Sequence, residues 1–506
     1  MSELIKSKKT ILNTVANLTS RLWSMLSTFI FLPLFLRYLD SEAYGLVTLF
    51  ATFLAVMNLL GMGLSGALRR EFAAGNESLS SRQYKFKLLK SVEFIYLFIL
   101  IVILIIGFFI SPYIAKNWLV FESLNVSIVT TSITLMFISI SIIILSNLWH
   151  GCILGLNNQV RANVYYVLWS IGKNILAILV IQRFPNPISF YLAYIIIDLL
   201  YAFFLRLFLV RRIKKSDSMK WNIKDLKLLS SVWKYTVGLL FITGLSILLT
   251  QIDRIILSRY ISLTEIGIYN SIKTMGSLVR IIAASVGITV LTEFTNLFSQ
   301  EKHEKLEKYY LDIWKYVSVA TITLSVFVTS YSYSIMYVWT GDITFAEASI
   351  SVAPYLLIGI CGLALQEIPY SYLLSKGITK INIKLGLLIL PIYVVLLYFL
   401  IRSYGIYGAS LAYGITFSAH TILYFWLSNK SIKLKEKLYK IYLVMLLSAI
   451  ISLSFSSISK QMVANISNQT YVVLIGITFG IIALAVNLFV FGAYKFVKKY
   501  REVHNE

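Results

Sequence analysis

Long runs of apolar residues, separated by short polar stretches, recur along the whole 506-residue chain. A helix that crosses the hydrocarbon core of a bilayer needs about 20 mostly apolar residues. We predict fourteen such helices at 11–36, 43–67, 91–115, 124–149, 162–182, 188–210, 235–258, 265–294, 313–338, 346–375, 381–401, 406–428, 439–457 and 470–494. The polar stretches between these runs are too short to form a further domain. The pattern therefore predicts an all-α polytopic membrane protein.

The composition agrees with a chain that folds in lipid. Hydrophobic residues make up 58% of the chain and charged residues only 14%, whereas soluble domains carry about 25% charged residues. Cys152 and Cys361 lie in or beside apolar runs, outside any CxxC or Cys/His cluster, which favours two buried thiols over a zinc site. This balance argues against a soluble enzyme.

The positive charge follows the predicted topology. A net charge of +23 would by itself suggest a nucleic-acid partner. If the N-terminus is cytoplasmic, however, the inner segments carry 34 of the 46 Lys and Arg residues and the outer loops carry 6. Basic residues concentrate on the cytoplasmic side of membrane proteins. The bias therefore predicts cytoplasmic N- and C-termini and no nucleic-acid partner.

Three pairs of segments repeat at nearly one offset, and the weakest is Arg161/Asn163 against Lys380/Asn382 at 219. RYLDSEAYGL (37–46) aligns with RYISLTEIGI (259–268) at an offset of 222, which pairs a glycine with a glycine. RFPNPISFYLAY (183–194) aligns with RSYGIYGASLAY (402–413) at an offset of 219, and both copies end in Leu-Ala-Tyr. The members of each pair lie at equivalent places in the predicted topology. The pairs indicate an internal repeat of six helices.

A six-helix repeat unit has an even number of spans, so both copies keep the same orientation in the membrane. We predict two six-helix lobes related by a pseudo-two-fold axis along the membrane normal, plus two extra C-terminal helices. The predicted divisions are 1–215 for the N-terminal lobe, 216–430 for the C-terminal lobe and 431–506 for the extra helices and tail. Repeats of this kind are typical of transporters, whose substrate sites lie between the halves.

Three segments resemble the Wzx-type polysaccharide flippases of the multidrug/oligosaccharidyl-lipid/polysaccharide (MOP) exporter superfamily. They are LPLFLRYLDSEAYGLVTLF (32–50), GCILGLNNQVRAN (151–163) and QIDRIILSRYISLTEIGIYNSIKTMGSL (251–278). The resemblance implies translocation of an undecaprenyl-pyrophosphate-linked oligosaccharide repeat unit across the bacterial inner membrane, by alternating access and without a cofactor. It further implies surface polysaccharide biosynthesis, with a polysaccharide polymerase and a chain-length regulator as partners. The energy could come from an Na⁺ or H⁺ gradient, from the membrane potential or from consumption of the product outside, and the sequence does not decide among these.

Charged residues inside the predicted spans are candidates for the substrate site. A charge at the bilayer centre costs about 2.5–3.5 kcal/mol on insertion scales, so it usually faces a cavity or a partner. Arg21, Lys173, Lys273 and Arg280 could line a cationic cavity for the pyrophosphate, since fixed cations replace the water that the phosphate loses. In the alternative interpretation, Lys173 pairs with Asp198 and locks helices together.

A second group of polar residues inside the spans could couple ion movement to transport or gate the pathway. These residues are Asp198, Asp253, Arg254, Glu367 and His420. A lone histidine such as His420 is more often a hydrogen-bonded packing residue than a proton relay. No metal-ligand spacing occurs among them.

Three other functions remain open at this point. A drug exporter of the multidrug and toxin extrusion (MATE) kind would have an acidic cavity, whereas the charges inside the spans here are mostly basic. A lipid II flippase is a further alternative within the superfamily. A polysaccharide polymerase or ligase usually needs a large outer loop, which this chain lacks. No P-loop is present, because Gly172-Lys173 lacks the upstream glycine and the Ser or Thr.

Overall fold

The computed structural model describes residues 2–74, 78–214, 220–378, 380–432 and 435–492, and its regular elements are helices. The α-helices are α1 (Ser2–Tyr38), α2 (Ser41–Ala73), α3 (Leu79–Tyr113), α4 (Val126–Gly155), α5 (Gln159–Arg183), α6 (Pro187–Ile213), α7 (Ser230–Tyr260), α8 (Leu263–Ser299), α9 (His303–Ser330), α10 (Ser332–Thr340), α11 (Ile343–Leu365), α12 (Glu367–Ser375), α13 (Lys380–Ile432), α14 (Lys435–Val463) and α15 (Gln469–Val490). A π-helical turn at Ile114–Trp118 extends α3, and a 3₁₀ helix at Ile223–Leu229 precedes α7. The all-α fold expected from the sequence is confirmed.

Short polar side chains start several of these helices. Asp40 accepts a hydrogen bond from the backbone N–H of Ala43 and caps α2. Asn186 caps α6 in the same way, and Pro187 follows at the first helical position. The first N–H groups of a helix lack partners within the helix, and a capping oxygen satisfies one of them. These caps place the helix starts at the short loops that the sequence predicted.

Twelve helical stretches in the described part of the chain are long and apolar enough to cross a membrane. One of them, Lys380–Lys430, is 51 residues long, or about 75 Å at 1.5 Å per residue, which is far more than one bilayer core. Gly405 interrupts it with a non-helical φ of 54°, where the sequence predicts the boundary between two spans. α7 coincides with the span predicted at 235–258 and is 31 residues long, but it is not one of the twelve.

Large apolar side chains face outward from these helices. On α3, Phe98, Phe108 and Phe109 are 66%, 64% and 74% exposed. Such exposure would be costly in water and is expected in lipid, where the surrounding chains are themselves apolar. The fold therefore belongs to a multi-pass membrane protein.

The helices group into two compact units, residues 1–267 and 268–506. In unit 1, α4 packs between α2 and α6, α5 packs against α1 and α6, and α7 packs against α2. In unit 2, α11 packs against α13, and α9 packs against α14 and α15. Each unit thus buries its own set of helix faces.

The two glycines of the GxxxG pattern in α15 allow close helix packing inside unit 2. A Cβ built at Gly476 would lie 3.1 Å from the ring of Tyr331, and one at Gly480 would lie 3.3 Å from the ring of Phe327. The aromatic rings at the end of α9 therefore occupy the space that two larger residues on α15 would fill.

Candidate functional site

Lys173 on α5 and Asp198 on α6 form an ion pair inside unit 1. The Lys173 Nζ lies 2.9 and 3.1 Å from the two carboxylate oxygens of Asp198. The same carboxylate accepts hydrogen bonds from the Ser139 Oγ at 2.6 Å and from the Trp169 Nε1 at 2.8 Å. Both side chains of the pair are buried. A buried carboxylate needs this many partners, because an unpaired charge in a low-dielectric interior carries a large desolvation cost.

Three aromatic rings surround the Lys173 ammonium. Its Nζ lies 4.1 Å from the ring centroid of Tyr194, 4.9 Å from that of Trp169 and 5.4 Å from that of Phe50. Aromatic faces attract cations electrostatically, and the attraction grows when water is excluded. The pair is therefore a neutral, enclosed unit that ties α5 to its neighbours, as in the pairing interpretation. A contact between Lys173 and the substrate stays a prediction.

Lys273 on α8 lies over the ring of Tyr413 in unit 2. Its Nζ is 4.7 Å from the Tyr413 centroid and 5.7 Å from the centroid of Tyr269. Tyr413 ends the Leu-Ala-Tyr of the second repeat copy, and Tyr194 ends that of the first. In both units a lysine ammonium thus lies over the tyrosine that ends this repeat motif, Lys173 over Tyr194 and Lys273 over Tyr413. The two lysines come from non-equivalent helices.

Arg280 lies near the middle of α8 and pairs with Glu367 at the start of α12. Its Nε and Nη2 donate to the Glu367 Oε1 at 3.0 and 2.9 Å. The Arg280 side chain is 48% exposed, whereas that of Glu367 is 17% exposed. A guanidinium has five N–H donors, so one carboxylate oxygen leaves donors for a second anion. Arg280 is therefore both paired and accessible.

A break between α11 and α12 sets the position of Glu367. Pro369 has no N–H, so it cannot donate to the carbonyl of Leu365 four residues earlier. The Trp314 Nε1 donates to this carbonyl instead, at 3.0 Å. A carbonyl without a partner is costly inside a membrane. The indole of Trp314 therefore compensates for the hydrogen bond that the proline removes.

His420 on α13 packs next to this break. The amide nitrogen of Gln366 lies 3.1 Å from the His420 Nδ1 and donates to the Thr421 Oγ1 at 2.6 Å. The rings of Phe417 and Tyr424 flank the imidazole, with centroids 6.3 and 6.2 Å away. These contacts are those of a hydrogen-bonded packing histidine, and a proton-relay role stays a prediction.

Asp253 and Arg254 make local contacts on α7. The backbone N–H of Arg254 donates to the Asp253 Oδ1 at 2.9 Å, and the Arg254 Nη1 donates to the Gln251 Oε1 at 3.0 Å. Asp253 is buried. A gating role for these two residues stays a prediction. Arg21 lies on α1, but its side chain is outside the part of the chain that the structure describes.

The two copies of the first repeat motif meet directly within unit 1. A Cβ built at Gly45 would overlap the carbonyl oxygen of Leu263. The backbone N–H of Leu263 donates to the carbonyl of Val120 at 3.0 Å. The start of α2, the loop before α4 and the start of α8 therefore form one junction, which we name the outer junction because the predicted topology places it on the outer side.

Glu42 holds the outer junction together and was not among the residues singled out from the sequence. Its carboxylate accepts from the backbone N–H groups of Glu122, Ser123 and Leu124 at 2.6, 2.8 and 3.0 Å, and from the Ser123 hydroxyl at 2.6 Å. The available signal was an acidic residue immediately before the span predicted at 43–67, close to a helix start, where the helix dipole favours negative charge.

Glu93 on α3 is a second buried carboxylate that sequence reasoning missed. It accepts from the Lys90 Nζ and the Trp149 Nε1, both at 2.8 Å, and its Oε1 lies 3.5 Å from the Arg206 Nε. It lies inside the span predicted at 91–115, so its position alone could have identified it. Its contacts join α3 to α4 and α6.

The described residues offer no cluster for a metal ion, since no three His, Cys, Asp or Glu side chains come together within the described ranges. Cys152 is buried, Cys361 is half-buried, and both are free thiols.

Comparison with known proteins gives a family match over more than half of the chain. A sequence profile of the polysaccharide biosynthesis protein family matches residues 10–292. A protein of Shigella flexneri that is provisionally named an O-antigen transporter is 22% identical over 403 residues, which cover 79% of this chain and 93% of that protein.

Solved structures share the fold at low sequence identity. The lipid II flippase MurJ in an inward closed conformation has a TM-score of 0.73 at 17% identity, and the match covers 96% of this chain and 100% of that chain. An inward-facing MATE multidrug transporter of the MOP superfamily has a TM-score of 0.64 at 15% identity, with 81% and 96% covered. At these identities the likeness shows the fold alone.

Proposed function

Because the chain belongs to the polysaccharide biosynthesis protein family, we propose that it is a Wzx-type flippase of the MOP superfamily and that its substrate is an undecaprenyl-pyrophosphate-linked oligosaccharide. The protein would move this repeat unit from the cytoplasmic to the outer face of the bacterial inner membrane. There the unit would enter the synthesis of a surface polysaccharide such as O-antigen, capsule or exopolysaccharide. A polysaccharide polymerase and a chain-length regulator are the proposed protein partners.

The main support for this proposal is the accessible position of Arg280. This arginine has its guanidinium near the middle of a membrane-spanning helix, and nearly half of its side chain is exposed. Glu367 holds the group in place and occupies only its Nε and Nη2. The remaining donors match two oxygens of a phosphate, and arginine stays protonated under all physiological conditions. Arg21, Lys173 and Lys273 are proposed as further cations of the same pathway.

We propose that transport proceeds by alternating access between the lobes 1–215 and 216–430, with 431–506 as an addition to the second lobe. The positive-inside bias supports cytoplasmic termini. The outer junction joins the repeat motif of the first lobe to that of the second through Gly45 and Leu263. It would have to separate for the substrate to leave on the outer side. Asp198, Asp253, Arg254, Glu367 and His420 are the proposed coupling or gating residues, with Na⁺ or H⁺ as the coupled ion.

Reconstitution of the full chain in proteoliposomes tests the proposal. The vesicles contain a fluorescent undecaprenyl-pyrophosphate-linked oligosaccharide, and a membrane-impermeant reagent measures how much of it changes leaflet. We expect faster movement with the protein than in protein-free vesicles, and loss of this movement in the R280A variant. Movement at the rate of protein-free vesicles, from protein that is folded and oriented, would overturn the proposal.

Parallel vesicles separate the alternatives within the superfamily. One set contains lipid II in place of the oligosaccharide lipid, and another contains a cationic dye inside the vesicle with an ion gradient across it. Movement of lipid II alone would assign the protein to cell-wall precursor transport. Efflux of the dye alone would assign it to MATE-like export.

A further inference from the structure

The connector between α6 and α7 includes residues 220–229, here named the 220–229 connector. Its 3₁₀ helix, Ile223–Leu229, begins with a reciprocal cap. The Asn222 side chain accepts from the backbone N–H of Lys224 at 3.2 Å, and the Asp225 carboxylate accepts from the backbone N–H of Asn222 at 2.9 Å. The cap gives this polar stretch a fixed local shape.

The 220–229 connector is bound to one face of α3. The Asp225 Oδ1 lies 3.1 Å from the Lys87 Nζ, and the Trp221 Nε1 donates to the Ser91 Oγ at 2.9 Å. The ring of Trp221 also packs on Phe94, with centroids 5.7 Å apart. Lys87, Ser91 and Phe94 follow the spacing of one helix face, so these contacts define one binding surface.

These contacts place the 220–229 connector at the edge of the membrane. The apolar run of α3 begins at Phe94 and continues to Ile110, a length of about 25 Å, which nearly matches the hydrocarbon core. Trp221 therefore lies at the level where the apolar core gives way to headgroups, a depth at which tryptophan is enriched. Its neighbour Ile223 is 60% exposed and is placed to contact the same boundary.

The connector and the end of α6 also carry exposed cations. Arg211 at the end of α6 and Lys220, Lys224 and Lys227 in the connector all have exposed side chains. The nearby carboxylate of Asp225 already binds Lys87 and the backbone of Asn222.

The connector between α8 and α9, which the predicted topology places on the same side, differs in charge. The three lysines at its end and in the first turns of α9, Lys302, Lys305 and Lys308, alternate with Glu301, Glu304 and Glu307. The positive-inside rule alone does not explain why one connector is strongly basic while the other is balanced.

We propose that the 220–229 connector is a membrane-surface anchor that binds the headgroups of anionic phospholipids. Trp221 and Ile223 contact the apolar boundary, and the lysines bind the phosphates above it. Basic residues next to an anionic membrane surface strengthen binding roughly fivefold each. The 220–229 connector joins the two proposed lobes and is already bound to α3. Headgroup binding would also hold it at the membrane surface. This inference does not depend on the identity of the transported substrate.

Native mass spectrometry of the full chain from mixed micelles of phosphatidylglycerol and phosphatidylcholine tests the anchor. We expect the wild-type chain to retain phosphatidylglycerol preferentially, and the K220Q/K224Q/K227Q variant to lose about fivefold or more of this preference. The K302Q/K305Q/K308Q variant is the matched control and should keep the preference. Equal behaviour of the two variants would overturn the proposal.

Two further measurements separate a headgroup from the diphosphate of a lipid-linked substrate and test the position of the anchor. Inorganic pyrophosphate should not displace phosphatidylglycerol from the wild-type chain; displacement at low concentration would mean that the site serves a diphosphate. A fluorophore on an I223C variant in nanodiscs should be quenched by lipids that carry a quencher near the headgroup. Quenching only by a water-soluble quencher would show that the segment is not at the membrane surface.

Discussion

Gly45 and Gly267, the two glycines that the sequence repeat aligns, lie against each other in the structure. A Cβ at position 267 would be 3.4 Å from the Cα of Gly45. Glycine at both positions lets the two backbones approach more closely than any other residue would allow. The repeat is thus visible as a physical contact between its two copies, at the outer junction.

Gly45→Ala should destabilise the outer junction. The new Cβ would overlap the carbonyl oxygen of Leu263, which belongs to the backbone and has little freedom to move. We expect a loss of about 1–3 kcal/mol, measured as a lower melting temperature in detergent. Gly172→Ala is the control, because a Cβ there meets only the side chain of Ile197 at 3.9 Å. Equal melting temperatures for both variants would contradict the contact.

The Lys173–Asp198 pair predicts that removing either charge alone destabilises the protein more than removing both. Lys173→Met or Asp198→Asn alone should cost about 3–5 kcal/mol, because each leaves one buried charge without its partner. The K173M/D198N double variant should be more stable than either single variant. Thermal unfolding in detergent measures this, and additive losses would show that the two residues do not interact.

The same double variant separates structure from transport. If the Lys173–Asp198 pair only holds helices together, the folded double variant should move the substrate at close to the wild-type rate. If Lys173 also binds the pyrophosphate, the double variant should be stable and slow. The proteoliposome assay distinguishes these outcomes because it measures leaflet exchange per folded protein.

Arg280→Ala should reduce transport about tenfold or more, since a hydrogen bond to a charged group is worth about 1.5–3 kcal/mol. The melting temperature should fall less than in the Lys173 or Asp198 single variants, because Arg280 is 48% exposed and Glu367, which loses its partner, is 17% exposed rather than fully buried. Arg183→Ala, an exposed arginine at the end of α5, is the control and should be active. Normal transport by R280A would remove the central support for the proposed substrate.

Trp314→Phe should destabilise unit 2 by about 1–2 kcal/mol, because the Leu365 carbonyl would lose its partner. Pro369→Ala restores an N–H at the position that normally pairs with this carbonyl. We therefore expect the W314F/P369A double variant to recover part of the loss in thermal stability. No recovery would indicate that the indole acts through packing instead of through its hydrogen bond.

Binding of the 220–229 connector to α3 should be constant across physiological pH. The backbone N–H of Asn222 and the Lys87 ammonium hold the pKa of Asp225 below its ordinary value of 3.8. A depressed carboxylate pKa contributes stability above the unfolded pKa and loses it only as the pH falls through the folded pKa.

Hydrogen exchange of residues 220–229, corrected for intrinsic rates, measures this binding. Exchange should therefore be the same at pH 7 and pH 5 in the wild-type chain, and faster at both values in D225N. A marked increase between pH 7 and pH 5 in the wild type would contradict the assigned contact.

Much of the architecture follows from the sequence because membrane insertion is a local requirement. Each span needs its own apolar run, and in lipid a single segment can satisfy its own backbone groups only as a helix. The boundary between the spans at 381–401 and 406–428, for example, coincides with the non-helical Gly405. The repeat is equally local, since its two copies can be aligned residue by residue without a structure.

The partners of the buried charges depend on the tertiary structure. The sequence offered Lys173 as either a cavity residue or a partner of Asp198, and Arg280 as a cavity residue with no assigned partner. Their partners lie 25 and 87 residues away in the chain, on helices whose rotation and depth the apolar pattern does not specify. Glu42 was missed for the same reason, since the donors that satisfy it come from another segment. Glu93, in contrast, lies inside a predicted span, and its position was an available signal.

The sequence by itself therefore determined the all-α, multi-pass architecture, the charge bias and the repeat. Only the tertiary structure decided which charges neutralise one another and which stay accessible. The physical reason is the range of each effect. The free energy of inserting a helix depends on that helix alone, whereas the cost of a buried charge depends on a partner that only helix packing brings within 3 Å.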